Sequence, residues 1–580
     1  MKECKQRCYF LQLIITEFKD RIVLAVIFVY NKNMQESGIK KYLTAKNTVF
    51  LILALAFLLR VWGIGSKDMI GDEATYAFRS IGYLDYLGTN FQTQPVDWYK
   101  DGQLPDWTHL SFHDHPPLVF IIQNLFFRIF GDSLLVARLP GIILGTVSVF
   151  IFYLLVKMFF GETIALLSAF LFTVSSSLVA FSRTALMEPI LLFFVLLNIY
   201  FFFRFLKDKK WWWVFGITFG LVLLTKYIGV FLAFVYLLYL VIADRKIFKQ
   251  WRFYASFLIT LVLFSPVIIY NIFLYKTRGH FDLQFAYLFG QNAPEWTGLL
   301  GKIQSPFKDI GKNLLEFYGI PAMVAIGAGF FYSIFLFAKR QDKRFLFWWI
   351  YVFSLTVLLM KIGSAHRFLS LYGPAFYFFA GFLAFELWSS KAISKFYYLA
   401  RPLIVVFVVF EFAYSINNNF TNFPDYGIAK LDNYLIREFK YKESAVIPGA
   451  DNQNLNDVIR KFAQKQSGIK ESKFLLVYND NIVMPTLQWI FYRRFFYHSI
   501  PTFYVENFIS LIRDKGAGYL KDFEIYFIQS TENTLLNPFK KDTTISLMFE
   551  DDLIKQGLEP VKIIYGQNSK EMFRIYKFSF

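Results

Sequence analysis

An acidic pair, Asp72 and Glu73, lies in the first polar stretch of a chain that is strongly apolar on either side of it. A carboxylate that stays ionised within hydrogen-bond reach of a hydroxyl group can remove its proton, as a general base does. The pair also follows Gly71 and precedes Ala74, so a second interpretation is the start of a short helix, where the helix dipole stabilises acidic side chains. Taken alone, the pair leaves both interpretations open.

The same polar stretch ends with two histidines, His113 and His115, on either side of Asp114. Two imidazoles and a carboxylate are ligands that zinc accepts, so a metal site is one interpretation. Positioning of a phosphate or of the catalytic loop by these residues, and ordinary loop polarity, are the other interpretations. We expect no metal cofactor, because two histidines at this spacing are a weak metal signal. Pro116 and Pro117 suit the first turn of a helix and predict that one begins here.

Three charged residues lie near the ends of later apolar segments. Arg138 stands a few residues inside an apolar run, where an unpaired charge is costly, so we expect an acidic partner in Asp72 or Glu73. Arg183 ends one apolar run and Glu188 opens the next. Both charges suit the local helix dipole, which is one interpretation, and a functional acidic site is the other.

Lys226, His366 and Arg367 lie at the boundaries of further apolar runs. Long basic side chains at such boundaries extend their charged ends toward water, which is the structural interpretation. The alternative is that these cations converge on one anionic group, because arginine binds phosphate through two parallel hydrogen bonds and lysine acts as a point charge. A lipid phosphate is the anion that a membrane offers.

The composition is that of a polytopic α-helical membrane protein. Of 580 residues, 56% are hydrophobic and 21% are aromatic, with a mean hydropathy of +0.40, which is outside the range of soluble globular domains. The net charge of +18 does not indicate a nucleic-acid partner, since the basic residues form short clusters between apolar runs, as membrane orientation signals do. The only cysteines are Cys4 and Cys8, so no disulfide framework is expected.

Eleven apolar runs predict membrane spans. A further run, 118–130, is short. If it does not cross, six basic clusters share one side, which the positive-inside rule identifies as the cytoplasm; if it crosses, the bias disappears. We therefore interpret 118–130 as an external juxtamembrane or re-entrant helix, which puts all the candidate site residues above on the external side. The spans lie near residues 47–64, 133–157, 162–181, 187–206, 211–226, 228–243, 254–275, 316–338, 344–361, 367–389 and 400–418.

This topology divides the chain into three parts. Residues 1–46 form a cytoplasmic N-terminal segment. Met34 is followed by a short lysine-containing polar segment and then by an apolar run, which indicates that Met34 is the native first residue. Residues 47–418 form a transmembrane domain with a first external loop, 65–132. Residues 419–580 alternate short β-like runs with helical patterns, which predicts a soluble extracytoplasmic α/β domain.

The order of the polar motifs resembles the GT-C superfamily of polyprenyl-phosphate-sugar-dependent glycosyltransferases, and within it the protein O-mannosyltransferases and the lipid A aminoarabinose transferases. The resemblance covers roughly residues 47–390. The motifs that carry it are the acidic pair, His115-Pro116-Pro117-Leu118, Ala137-Arg138-Leu139-Pro140, Ser182-Arg183-Thr184-Ala185-Leu186-Met187-Glu188-Pro189 and Leu224-Thr225-Lys226-Tyr227.

The resemblance implies a multi-pass enzyme of the cell membrane that works among membrane lipids. It would transfer one sugar from a polyprenyl-phosphate donor to a hydroxyl of a protein, lipid or glycan acceptor on the external face, by inverting displacement and without a metal. The residue roles it implies are catalysis for Asp72 and Glu73, loop bracing or an acidic site for Arg138, Arg183 and Glu188, and donor-phosphate binding for His115, Lys226, His366 and Arg367.

A lipid or solute transporter is the alternative function. Transport sites lie near the bilayer midplane on charged or broken helices, whereas this chain concentrates its polar residues at one face. A receptor or scaffold would account for residues 419–580 but not for the charges beside the membrane. Glycosyl transfer is therefore the predicted function.

Overall fold

The computed structural model describes residues 44–89, 91–296, 307–389, 397–421, 423–439, 442–444, 447–463, 470–479, 481–536 and 544–580. Most of the predicted cytoplasmic segment, including Met34 and both cysteines, lies outside these residues. The chain divides into two compact units. The first comprises the described residues within 1–62, 141–265 and 301–422, and the second comprises those within 63–140, 266–300 and 423–580.

Long apolar helices make up most of the chain before residue 422. Within the described residues, eight helices are long and apolar enough to cross a membrane, and a ninth span results if Glu162–Val174 and Ser176–Ser182, bent by 64°, count as one. The predicted class, a polytopic α-helical membrane protein, is confirmed. The eight helices are Ala45–Ser66, Leu134–Phe160, Glu188–Lys207, Trp251–Arg278, Ile320–Arg340, Lys343–Ile362, His366–Ser389 and Arg401–Thr421.

Two of the eleven predicted spans correspond to shorter helices. Trp212–Thr225 contains 14 residues, and Tyr227–Ala243 is also shorter than the eight long helices. A helix rises about 1.5 Å per residue and needs about 20 residues to cross the apolar core of a bilayer. The two helices are separated at Lys226, which has an extended backbone with ψ 136°. The number of eleven spans therefore stays a prediction.

Helix Leu118–Phe130 begins directly after Pro117, as the two prolines predict, and contains 13 residues. Its length of about 20 Å is less than the roughly 30 Å thickness of the apolar core. It packs against helix Asp72–Gly82. Asn124 donates hydrogen bonds to the carbonyls of Ser80 at 2.8 Å and Ile81 at 3.0 Å, which supplies partners for the last turn of that helix.

The C-terminal region contains the predicted α/β structure. A five-stranded sheet has the order β4-β3-β5-β7-β6, with β3 parallel to β4 and β5, and with β7 antiparallel to β5 and β6. A separate parallel pair joins β1 and β2. The strands are β1 (Lys442–Ser444), β2 (Lys470–Ser472), β3 (Phe474–Tyr478), β4 (Thr502–Tyr504), β5 (Glu524–Ser530), β6 (Lys562–Tyr565) and β7 (Glu571–Phe578).

Alternate residues of the central strands form the core of this sheet, as the two-residue period of a strand requires. Their side chains pack against Phe508 of helix Val505–Lys515 and Leu553 of helix Thr544–Lys555. The strand residues of this core are Leu475, Val477, Ile525, Phe527 and Tyr576. The remaining helices outside the long apolar set are Pro95–Trp98, Leu283–Leu288, Phe307–Tyr318, Ile428–Phe439, Gln453–Ala463, Met484–Leu487 and Arg493–Tyr497.

The second unit joins the first polar loop to this C-terminal region. Both carboxylate oxygens of Asp68 accept backbone hydrogen bonds, from Tyr426 at 2.5 Å and from Ala429 at 2.8 Å. Thr75 donates to the side-chain oxygen of Gln488 at 2.9 Å. The predicted division of the chain at residue 419 stays a prediction.

Close packing of helices in the first unit depends on glycine. A Cβ at Gly329 would lie 2.3 Å from the carbonyl oxygen of Phe379, and a Cβ at Gly381 would lie 2.3 Å from Oγ of Ser168. Helices in a bilayer associate through van der Waals packing, which small residues permit. Gly327 lies on the same helix as Gly329, and a Cβ there meets no atom within 4 Å.

We expect Gly329→Ala to lower the melting temperature of the purified protein, because overpacking at a close contact costs about 1–3 kcal/mol. Gly327→Ala is the matched control: it makes the same change on the same helix, so any gain in helix propensity is shared. Tryptophan fluorescence during heating measures both. Equal melting temperatures would show that this helix pair does not pack through Gly329.

Candidate active site

The acidic pair begins helix Asp72–Gly82, so both carboxylates lie in the first turn, where the helix dipole favours them. Gly71 precedes the helix with φ 57° and ψ −147°, a backbone conformation that is strained for any residue with a Cβ. After this turn, the two acidic side chains lie in different environments. Asp72 is exposed, whereas Glu73 is buried.

Glu73 is held by Arg138 through two hydrogen bonds. Nε donates to Oε1 at 2.6 Å and Nη2 donates to Oε2 at 3.0 Å. The same guanidinium donates to the carbonyls of Ile64 at 2.7 Å, Lys67 at 3.0 Å and Asp68 at 2.9 Å. Of the two expected partners for Arg138, the structure therefore selects Glu73, and Arg138 also fixes the backbone that leads to Asp72.

A second buried network lies in the same loop around Arg79. Its guanidinium donates to both oxygens of Asp114, at 2.8 Å and 3.1 Å, and also to Asp85. Asp85 accepts two further hydrogen bonds from His113, one from the backbone N–H and one from Nδ1, each at 2.8 Å. All four side chains are buried. They cross-link the two ends of the first polar loop.

The charges of this network shift its pKa values. Burial alone would raise the pKa of Asp114, but the neighbouring Arg79 charge and the histidines lower it well below its usual value. For Asp85, the charges of His113 and Arg79 likewise outweigh burial, and the pKa is lowered. Burial would lower the pKa of His113, but Asp85 and Asp114 raise it. The network is therefore stabilised when both carboxylates are ionised and the imidazole is protonated.

Three residues of this network form a group that could hold a metal ion. Among the described residues, Asp85, His113 and Asp114 bring their ligand atoms within 4.8 Å of one another. However, the guanidinium of Arg79 binds both carboxylates, so it supplies the positive charge that a cation would bring. His115 is not part of this set. The expected absence of a metal cofactor stays a prediction.

His115 lies on the edge of the Arg79 network. Its Nδ1 is 3.0 Å from Asp114 Oδ2, and its Nε2 is 3.2 Å from the hydroxyl of Tyr76. The Tyr76 and His115 rings meet edge to face, with centroids 5.2 Å apart. The side chain of His115 is 12% exposed. Its predicted contact with a phosphate stays a prediction.

In the first unit, three of the predicted residues come together at helix ends. Glu188 opens helix Glu188–Lys207, Lys226 separates two shorter helices, and Arg367 lies in the first turn of His366–Ser389. Lys226 Nζ is 2.5 Å from Glu188 Oε1, and Arg367 Nε is 4.0 Å from the same oxygen. Phe368 lies under both cations, 5.0 Å from Lys226 Nζ and 5.4 Å from the guanidinium carbon of Arg367.

Among the described residues of this cluster, Lys226 and Arg367 both approach one carboxylate, that of Glu188. The Arg367 side chain is 29% exposed, whereas the Glu188 side chain is only 1% exposed. Oε2 of Glu188 has no hydrogen-bond partner among the described residues. An anion that accepts hydrogen bonds from the two cations, with a hydroxyl group beside this oxygen, would suit the cluster.

Two predicted residues have other contacts. Arg183 Nη1 donates to the carbonyls of Leu59 at 2.8 Å and Arg60 at 3.4 Å, and its guanidinium lies over the Phe420 ring at 4.5 Å. Arg183 therefore supplies partners for the carbonyls at the end of the first span. His366 Nε2 lies 3.3 Å from Glu316, and both of these side chains are about half exposed. Its predicted phosphate contact also stays a prediction.

Sequence reasoning did not identify Arg79 or Asp85. An arginine in the middle of the otherwise uncharged segment Ala74–Ile81 was the available signal, since a buried cation requires acidic partners. The partners themselves lie 6 and 35 residues away along the chain. Only the folded loop shows which aspartates they are.

The middle of the chain matches a known protein family. The family described as dolichyl-phosphate-mannose-protein mannosyltransferase matches residues 114–270. This range contains Arg138, Arg183, Glu188 and Lys226, and it excludes Asp72 and Arg367.

Two proteins of Bacillus subtilis (strain 168) are similar to part of the chain. The putative mannosyltransferase YkcB is 31% identical over 290 residues, which are 46% of this chain and 37% of that protein. The putative mannosyltransferase YycA is 32% identical over 158 residues, which are 26% of this chain and 22% of that protein. The chain therefore spans 37% or less of the length of these curated relatives.

The fold resembles that of a solved membrane-lipid-bound structure. The crystal structure of ArnT from Cupriavidus metallidurans bound to undecaprenyl phosphate has a TM-score of 0.52 and 13% sequence identity, over 92% of this chain and 98% of that one. The apo structure of the same protein has a TM-score of 0.50. At this identity the likeness establishes the fold, and the predicted resemblance to the GT-C superfamily is confirmed.

The Arg79 network predicts a specific dependence of stability on pH. Because Asp85 and Asp114 have lowered pKa values when folded, their stabilisation is present above about pH 4 and is lost as the pH falls below that value. Because His113 has a raised pKa, its stabilisation is present below about pH 6.5 and is lost as the pH rises through the folded value.

We therefore expect His113→Gln to lower the melting temperature most at mildly acidic pH, with a cost of about 1–3 kcal/mol that shrinks as the pH rises. Thermal unfolding of the wild type and of His113→Gln, from mildly acidic to alkaline pH, measures the difference in melting temperature. His109→Gln, at an exposed histidine of the same loop, is the control and leaves the melting temperature unchanged. A difference that is constant with pH would contradict the charged state assigned to His113.

Proposed function

We propose that this protein is a membrane glycosyltransferase that transfers a monosaccharide from a polyprenyl-phosphate donor to an acceptor hydroxyl. The observation that carries the proposal is the cluster of Lys226, Arg367 and Glu188, in which two cationic side chains converge at helix ends. The fold adds support, because the similar ArnT structure is bound to undecaprenyl phosphate. We place the reaction on the external face of the cell membrane, with the C-terminal domain on that side.

The proposed reaction is a direct displacement at the anomeric carbon of the donor sugar. The acceptor hydroxyl oxygen forms a bond to that carbon while the bond from the carbon to the phosphate oxygen breaks. The bonding electrons leave with the lipid phosphate, and the hydroxyl proton passes to a carboxylate of the protein. Attack from the side opposite the leaving group inverts the configuration.

Asp72 is the proposed general base. Its exposure leaves the carboxylate accessible to an acceptor, and its place in the first helical turn favours the ionised form that a base requires. Glu73 differs, because both of its oxygens accept hydrogen bonds from Arg138. We therefore assign Glu73 to positioning: it holds the first turn of the helix, and Asp72 with it.

Lys226 and Arg367 are the proposed ligands of the donor phosphate. The leaving phosphate gains negative charge in the transition state, and cations fixed in advance stabilise that charge without reorganising. Glu188 holds Lys226 in place through the 2.5 Å contact, and Phe368 lies under both cations. His115 and His366 stay candidates for the same role.

Mannose is the first sugar to test. The matching family model and both bacterial relatives are named for mannosyl transfer. Each of these matches covers less than half of the present chain. The acceptor hydroxyl remains open among protein, lipid and glycan. Polyprenyl phosphates that carry mannose, glucose or aminoarabinose, offered separately, would separate the sugar alternatives.

Asp72→Asn tests the base directly. We expect the rate of sugar transfer to fall by about 10²–10⁴-fold, because the amide cannot accept the proton. The assay is transfer of labelled sugar by the purified protein. Asp101→Asn, which removes another exposed aspartate of the same loop, is the matched control and keeps the rate. Full activity in Asp72→Asn would remove the assignment.

Arg367→Gln tests the phosphate site. We expect KM for the donor to rise about tenfold or more, since a hydrogen bond to a charged group contributes about 1.5–3 kcal/mol. The remaining pair of Lys226 and Glu188 keeps the cluster neutral, so the melting temperature changes little. Lys361→Gln, at an exposed lysine of the same unit, is the control. An unchanged donor KM in Arg367→Gln would place the phosphate elsewhere.

A further inference from the structure

The C-terminal sheet contains a cavity that the proposed transfer reaction does not use. Its volume is about 680 Å³, within the range of about 300–1,000 Å³ that is typical of small-molecule sites. Its wall includes Asn481, which follows β3, the segment from Gln529 to Asn533 at the end of β5, and Arg574 of β7. All of these residues belong to the second unit.

The position of the cavity follows from the order of the strands. β3 and β5 are parallel neighbours, so their carboxyl ends lie at the same edge of the sheet. The chain leaves β3 toward β4 on one side, and it leaves β5 through helix Thr544–Lys555 toward β6 on the other side. Connections that diverge in this way open a crevice between the two strand ends, which is where open α/β sheets bind their ligands.

Three buried polar atoms on this wall have no hydrogen-bond partner among the described residues. They are Oδ1 of Asn481, Oε1 of Gln529 and Oγ of Ser530. The three residues are only 3%, 1% and 5% exposed, respectively. A buried polar atom left without a partner costs about 1–3 kcal/mol, so a cavity that collects three of them is built for a ligand that supplies the partners.

The identity of these atoms indicates the chemistry of the ligand. Two of the three are amide oxygens, which only accept hydrogen bonds, and the carboxylates of Glu532 and Glu571 on the wall also only accept. The ligand must therefore carry several donors. A carboxylate or a fully ionised phosphate carries none, so such an anion does not fit.

The charges on the wall support the same conclusion. Arg574 donates to both oxygens of Glu550, at 2.7 Å and 2.8 Å, so its charge is already neutralised. The other charged residues of the wall are one lysine, Lys570, and two glutamates, so negative charge predominates there. Leu536 and Leu547 add apolar surface. Hydroxyl-rich rings with apolar C–H faces match this combination of acceptors and leucines.

We propose that this cavity is a carbohydrate-binding site for a neutral mono- or disaccharide unit. It is separate in sequence and in residues from Asp72 and from the cluster of Lys226, and it binds sugar without reacting with it. The proposal holds whether or not the protein transfers sugar. A serine- and threonine-rich peptide also offers hydroxyl donors, and it is therefore included as a competing ligand in the test.

The experiment measures sugar binding to the full chain by saturation-transfer NMR and by calorimetry. The protein is held in lipid nanodiscs, because detergents with sugar headgroups would compete with the probes for the cavity. The probes are mannobiose, maltose, diacetylchitobiose and a Ser/Thr peptide. We expect at least one disaccharide to bind and to raise the melting temperature, since a ligand that binds only the folded state stabilises it. No signal from any sugar, or binding of the peptide alone, would overturn the proposal.

Two variants locate the binding. Ser530→Ala removes an unpartnered hydroxyl, so sugar affinity falls about tenfold while the melting temperature stays equal or rises. Leu547→Trp fills the cavity from a residue that is 44% exposed, and it abolishes binding without disturbing the core. Met548→Trp, on the same helix and outside the cavity wall, is the matched control and keeps binding. Binding that survives Leu547→Trp would place the sugar elsewhere.

Asp72→Asn separates this site from the proposed reaction. The variant retains sugar binding in the cavity even if transfer is lost. If the disaccharide no longer binds to Asp72→Asn, the bound sugar occupies the reaction site and the separate cavity site is refuted. If transfer is absent in the wild type but sugar binds and Leu547→Trp abolishes it, the cavity site stands without the proposed function.

Discussion

The guanidinium of Arg138 is the interaction on which the first polar loop depends. It is 1% exposed, and it binds both oxygens of Glu73 and three backbone carbonyls between Ile64 and Asp68. A buried charge is tolerated only when hydrogen bonds replace its lost water. The chain from residue 64 to residue 73 must therefore surround this side chain, and that path places Asp72 at the exposed start of a helix.

The same loop is tied to the C-terminal region through further buried charges. Asp68 offers its carbonyl to Arg138 and its carboxylate to the backbone of Tyr426 and Ala429. Arg493 donates to the carbonyl of Asp132 at 2.6 Å, and Asp132 also lies 2.6 Å from His498. Asp68 and Arg493 are buried, so the loss of these hydrogen bonds would leave a buried charged side chain with fewer partners, which is costly. Segments far apart in sequence thus form one compact unit.

The features that the sequence predicts correctly are those with a local cause. Apolar runs of sufficient length predict the spans, Pro117 predicts a helix start, and the cost of a charge in an apolar run predicts an acidic partner for Arg138. The choice of Glu73 over Asp72 depends on the turn at Gly71, which only the fold reveals. The Arg79 network and the cavity at β5 require contacts between distant segments. No local pattern specifies them, so the sequence could not predict them.

Buried polar groups in this protein are of two kinds, and the difference separates stability from function. Most atoms of the network of Arg79, Asp85 and Asp114 meet partners within the loop, so the network holds the fold and leaves little to bind a ligand. Glu188 Oε2 and Gln529 Oε1 lack a hydrogen-bond partner among the described residues. A fold optimised for stability alone would remove such atoms, because each costs about 1–3 kcal/mol. Their presence beside two converging cations in one place, and on the wall of a cavity in the other, is the reason why we propose these two regions as binding sites.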